Sequence, residues 1–140
     1  MPRLRLTAIL ARPPPAGHIA STTTTVDFTG RVAIVTGAAR GLGRAAAERL
    51  YERGASVAVN VRDGERAEEV AAALGERALA VPGDIAARGA PDEIVRRTLE
   101  RFGRVDVLVN NAAVARSTRL AELTADEWRL ALEVNLTAPF

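Results

Sequence analysis

Three glycines fall within Thr36-Gly37-Ala38-Ala39-Arg40-Gly41-Leu42-Gly43, between a short apolar run at 31–35 and a stretch of helical periodicity at 42–53. A turn this tight needs residues that tolerate unusual φ/ψ, and a phosphate lying on the backbone leaves no room for a Cβ. The start of a helix adds free N–H donors and the positive end of its dipole. The chemistry predicted is capture of a pyrophosphate, and hence of a dinucleotide, by residues 31–60. A glycine-rich strand-to-helix turn without a ligand is the competing reading. The spacing is G-x-x-x-G-x-G, not the G-x-G-x-x-G of many dinucleotide folds.

The elements that must position this turn repeat along the chain. Apolar runs at 31–35, 55–60, 78–81 and 106–110 lack polar alternation, as strands buried on both faces of a parallel sheet do. Between them, 42–53, 65–74 and 91–102 carry apolar residues at helical spacing, for example Ile94, Leu99 and Phe102, and each stretch closes near a glycine: Gly54, Gly75 and Gly103. Thr124-Ala125-Asp126-Glu127 fits a capping box opening a fourth helix, with Trp128, Leu130, Leu132 and Leu136 as its apolar contacts. Repeated β-α-β units with right-handed crossovers predict an α/β, Rossmann-type doubly wound parallel sheet of about four strands, ordered 3-2-1-4.

Composition excludes several function classes. At 140 residues the chain holds one domain or less. No uncharged apolar stretch approaches the roughly 20 residues needed to cross a bilayer. With no cysteine there are no disulfides or thiolate metal sites, which agrees with a cytoplasmic location; no metal site is predicted. All 19 basic residues are arginine, so an isoelectric point near 10.3 exaggerates a net charge of only +2. Residues 1–26 carry +3 and the remainder −1, and the arginines interleave with acids along helices, which argues against nucleic-acid binding. Residues 1–26, with Pro13-Pro14-Pro15 and a Ser/Thr run, read as a disordered tail ahead of a nucleotide-binding domain at 27–140. An organelle transit sequence or an upstream-extended start would each account for that tail, the second being the plainer. His18, the one histidine, lies within it.

Further motifs follow in order: Asp84-Ile85 after the third strand, Asn110-Asn111-Ala112-Ala113 after the fourth, and Asn135 late in the fourth helix. With the glycine turn they make residues 28–140 resemble the cofactor-binding half of the short-chain dehydrogenase/reductase family, closest in flavour to its 3-oxoacyl-ACP reductases. The resemblance implies that Gly37, Gly41 and Gly43, with Ala39, Arg40 and Leu42 of the same turn, line the pyrophosphate. It implies further that Asp84 and Ile85 edge the adenine ring, that Asn111, Ala112 and Ala113 lie along the cofactor, and that Asn135 completes a catalytic tetrad. Ala113 stands where the family usually has glycine and should narrow the space beside the ribose. Asn110 and Asn111 could instead be loop-stabilising amides, and Asn135 a polar break in a helix.

Cofactor choice turns on the end of the second strand, where an acid would accept from a ribose 2′-hydroxyl and repel a 2′-phosphate. Here Val61 holds the position where the family usually places aspartate, followed by Arg62, while Arg40 precedes the second glycine. Two guanidiniums can flank a phosphate. NADP(H) is therefore expected over NAD(H), although Asp63 is near and either arginine could be a solvated surface charge. The family's tyrosine, lysine and serine have no counterpart: the chain has no lysine, and Tyr51 lies in the first helix as a packing or surface residue. The expectation is an oxidoreductase fragment, inactive by itself, whose complete form would be a homo-oligomer acting on a small carbonyl or alcohol. A catalytically silent nucleotide-binding module and an interaction subunit pairing through its last helix are the alternatives. Truncation is also expected to leave apolar surface uncovered at the fourth strand and last helix.

Overall fold

The computed structural model describes residues 26–115 and 117–140; the tail expected over 1–26 lies almost wholly outside these residues. The elements alternate as β1 (Val32–Thr36), α1 (Gly41–Glu52), β2 (Ser56–Val61), α2 (Gly64–Leu74), β3 (Ala78–Pro82), α3 (Ala90–Phe102), β4 (Val107–Val109) and α4 (Ala125–Leu132). A 3₁₀ turn, Leu120–Glu122, precedes α4, and a π-turn, Glu133–Thr137, extends it. All pairings are parallel and the order is β3-β2-β1-β4, as the crossover rule predicts.

Alternation along the strands divides the core between two faces. Val35, Val57 and Val59 pack with Ala47 of α1 and with Ala67 and Val70 of α2. Ile34, Ala58 and Val81 pack on the other face with Ile94 of α3 and with Val134. The first two apolar runs thus become strands covered on both sides, β1 being buried at every position, whereas β3 is partly buried and the edge strand β4 has no buried residue, Leu108 being exposed. Tyr51 packs at the edge of the first cluster beneath the Arg77 guanidinium, 4.0 Å from its ring centroid.

Two packing expectations are corrected. In α3 the buried residues are Ile94 and Thr98, whereas Leu99 is exposed. Thr98 tolerates burial because its hydroxyl donates to the Ile94 carbonyl at 2.7 Å. In the last helical segment Trp128, Leu130, Leu132 and Leu136 are all exposed, and Val134 alone is buried. The apolar period of α4 is present, but the described residues do not cover it. No helix among the described residues is long and apolar enough to cross a membrane.

Candidate functional site

The β1 carboxyl end is fixed from β4. The Thr36 hydroxyl donates to the Val109 carbonyl at 3.3 Å and accepts the Asn111 and Ala112 N–H groups, each at 3.1 Å. The Asn111 amide then reaches back, donating to the carbonyls of Thr36 at 2.9 Å and Gly37 at 3.1 Å. Glycine is required on both sides of this joint. Gly37 has φ +67°, and a Cβ there would lie 2.8 Å from the Ala112 Cα; a Cβ on Gly43 would overlap the Asn111 amide nitrogen.

The turn leads into a helix that leaves its first donors open. Arg40, the N-cap of α1, makes no side-chain cap bond, and the first turn contains no acid. α2 differs, because the Asp63 carboxylate accepts the Arg66 N–H at 2.8 Å. α4 differs too, its capping box being formed by Thr124 and Glu127. An uncapped helix start is where an external anion finds N–H groups and a favourable dipole.

These parts border a cleft of about 690 Å³ at the carboxyl ends of β1, β2 and β3. Gly37, Ala39, Arg40 and Gly41 form one wall; Val61, Arg62, Asp63 and Arg66 form the second; Gly83, Asp84 and Ile85 form the third. Asn111, Ala112, Ala113 and Val114 close it from β4, with Asn60 and Val134 also lining it. A crevice outside the carboxyl ends of a parallel sheet, at the point where strand order reverses, is the usual ligand site of such folds. Among the described residues neither Arg40 nor Arg62 has an acidic partner. Many helix-surface arginines do, as in Arg44–Glu48 and Arg96–Glu93, both 2.6 Å.

Ten of the residues singled out from the sequence therefore meet in one cleft: Gly37, Ala39, Arg40, Gly41, Arg62, Asp84, Ile85, Asn111, Ala112 and Ala113. Leu42 and Gly43 do not line it. Leu42 is 84% exposed, and Gly43 faces Asn111. Asn110 lies in a separate cleft of about 210 Å³ with Ile34 and Leu108. Asn135 also lies outside the main cleft. Its Oδ1 accepts the Val114 N–H at 2.9 Å and its Nδ2 donates to the Val114 carbonyl at 2.8 Å, so it fastens the π-turn to the loop after β4. Sequence reasoning passed over Arg66 and Asn60. An arginine opening α2 next to Arg62 was a visible signal, whereas a single asparagine ending an apolar strand carried none.

The cleft suits a dinucleotide by its own geometry: a positive-φ glycine pressed on the β4 loop, an uncapped helix start, and two arginines, Arg40 and Arg62, without acidic partners among the described residues, while Arg66 pairs with Glu69 at 3.5 Å. Comparison with known proteins gives it a family. A family model described as short chain dehydrogenase matches residues 31–140. A 3-oxoacyl-acyl-carrier-protein reductase from Synechocystis is 38% identical over 117 residues, which are 81% of this chain and 47% of that protein. Among solved structures, a 3-ketoacyl-acyl-carrier-protein reductase of Brucella melitensis complexed with NADH superposes with a TM-score of 0.77 at 38% identity, covering 81% of this chain and 47% of that one. A short chain dehydrogenase of Burkholderia cenocepacia in complex with NADP gives 0.75 at 41% identity, covering 81% and 48%. The chain spans about half the length of these relatives, and the span it shares with them, from the first strand through the glycine turn to Phe140, belongs to the short chain dehydrogenase family.

Proposed function

We propose that residues 27–140 form the cofactor-binding unit of an NADP(H)-dependent oxidoreductase that interconverts a carbonyl and an alcohol. The observation that carries this reading is the pairing of an uncapped, acid-free helix start with Arg40, Arg62 and Arg66 on one cleft, where the β2 end offers Val61 and no carboxylate. Asp63, the nearest acid, is engaged as the α2 cap. A relative of which this chain covers about half is named a 3-oxoacyl-acyl-carrier-protein reductase, and two related structures hold NADH and NADP, which supports a nicotinamide dinucleotide without deciding between the two.

In this reading Gly37 and Gly41 allow the pyrophosphate onto the backbone, and the open N–H groups of α1 donate to it. Arg40 and Arg62 flank a 2′-phosphate, while Asp84 and Ile85 border adenine. When bound, the cofactor would give the hydride to the carbonyl in its reduced form or take it from the alcohol in its oxidised form. Asn135 acts on the reaction by holding the loop at Val114, and no residue of this chain fills the acid/base role of tyrosine and lysine, so the 140 residues alone bind cofactor without turnover.

Fluorescence titration of the chain with NADPH and NADH tests the reading directly. NADPH is expected to bind about tenfold or more tightly, the worth of one or two charge-assisted hydrogen bonds. A clear preference for NADH would refute the use made of Arg40 and Arg62.

A further inference from the structure

The most deeply placed polar side chain of the cleft has no part in the reading so far. Asn60 ends β2, is 2% exposed and lines the cleft. Its side-chain Nδ2 donates to the Val81 carbonyl at 2.9 Å and to the Gly83 carbonyl at 3.1 Å. Two carbonyl acceptors fix which end of the amide is nitrogen, since an oxygen there would face lone pairs. Its own backbone carbonyl points the other way along the floor and accepts the Ala38 N–H of the glycine turn at 3.2 Å.

One residue therefore touches both walls. The turn that its side chain grips is otherwise held by the Gly83 N–H on the Val61 carbonyl at 3.0 Å and by Asp84, whose carboxylate accepts the Ala86 N–H at 3.0 Å. Gly83 has φ +155°, its open side meets nothing within 4 Å and Asp84 is exposed, so packing anchors this turn only at its Ile85 end, where that side chain joins Ile34, Val81 and Ile94 in the core. Burying an amide at the end of an apolar strand has a desolvation cost that a valine, like its neighbours Val59 and Val61, would avoid.

We propose that Asn60 is the positioning residue for the adenosine end of the cofactor: by joining the glycine turn at Ala38 to the 83–85 turn it sets their separation, so that Asp84 and Ile85 meet the adenine ring. The inference rests on the dinucleotide reading above. It assigns Asn60 no contact with the reacting atoms.

The test compares the wild-type chain with Asn60→Val, which removes the side-chain link and keeps the backbone bond to Ala38. Adenosine 2′,5′-bisphosphate and NADPH are titrated by calorimetry, and amide hydrogen exchange is followed. Binding of both ligands should weaken about tenfold, the effect of a lost hydrogen bond or two. Exchange should accelerate at 84–86 and stay unchanged at 38–43. Unchanged affinity, or exchange rising equally in both turns, would overturn the proposal and leave the cofactor reading standing. A wild-type chain that binds neither ligand would overturn both. Asn60→Ser retains one donor and should fall between; it replaces the valine variant if that variant does not unfold cooperatively, with the same outcomes deciding.

Discussion

The two ends of the sheet hold the same kinds of charge in opposite arrangements. At the amino end, Asp106 leads into β4 with its side chain only 12% exposed and is surrounded by donors. Arg104 reaches it at 2.5 and 2.8 Å, Arg31 at 3.0 Å and the Val32 N–H at 2.9 Å. The Arg104 guanidinium, then the Val32 N–H and Arg31, pull its carboxyl down to about 2. At the carboxyl end, Arg40 and Arg62 have no acid among the described residues, and the first turn of α1 has none either. Charges matched within the chain hold β1 against β4; donors left unmatched on a cleft await an anion from outside. Substitutions at the amino end should therefore alter stability first, and those at the carboxyl end should alter affinity.

Gly43→Ala should break that division, because Gly43 serves both. Its Cβ would overlap the Asn111 amide and lie 2.5 Å from the Gly37 carbonyl, forcing apart the joint between the glycine turn and β4. A loss of about 2–4 kcal/mol in urea unfolding is expected, typical of a backbone clash in a packed site, together with loss of NADPH binding. Stability within about 0.5 kcal/mol of wild type would show that the joint can move aside.

Asp106→Asn sharpens the comparison from the amino end. Replacing the carboxylate weakens three charge-assisted contacts, and a loss of about 1.5–3 kcal/mol is expected with affinity for NADPH unchanged. pH gives a second reading. The folded-state pKa lies below the unfolded value near 3.9, so this contribution is complete above about pH 5 and is lost as pH falls from about 4 to 2. Unfolding midpoints measured over that range should fall more steeply for wild type than for Asp106→Asn. Parallel slopes would place the acid sensitivity elsewhere.

Arg62→Ala probes the carboxyl end. NADPH affinity should drop about tenfold, NADH affinity should hold within about twofold, and thermal stability should not change, since an unpaired exposed arginine contributes little to folding. Equal loss for both nucleotides would mean that Arg62 meets something other than the 2′-phosphate. Arg40→Ala should act in the same direction.

How much of this the sequence displayed depends on the range of the interaction. Uninterrupted apolar runs marked the strands to within a residue or so, since a strand covered on both faces, as β1 and β2 are, has no polar position to disguise it, and the edge strand β4 keeps the same apolar sequence though it is partly exposed. Strand order followed from crossover handedness. The glycine turn was legible because its requirements are local: conformation and space within eight residues. Asp106 was not, because its partner Val32 is 74 positions away and no composition signal marks the start of β4 as a clamp. Asn60 was not, because one amide at a strand end becomes meaningful only once β3 lies beside it. Thr98 rather than Leu99 is buried in α3 because a helical period locates a stripe only to within about one residue, and a threonine that bonds its own helix can be buried. The exposure of Trp128 and Leu136 shows a different limit: periodicity reports that a face is apolar, not what covers it.

Thr124→Ala is the mildest test and lies outside both ends. Its hydroxyl accepts the Glu127 N–H at 3.2 Å while the Glu127 carboxylate accepts the Thr124 N–H at 3.2 Å, and losing such a cap costs a helix about 1 kcal/mol. No residue of 125–132 is fully buried, and the segment is fastened mainly by Val134 and by Asn135 on Val114. The loss should therefore appear as faster amide exchange over α4, with little change at β1 or in NADPH affinity. Slowed exchange on α4 in the presence of NADPH, abolished by Asn135→Ala but kept in Thr124→Ala, would show that the cleft senses α4 through the Val114 loop rather than through its cap.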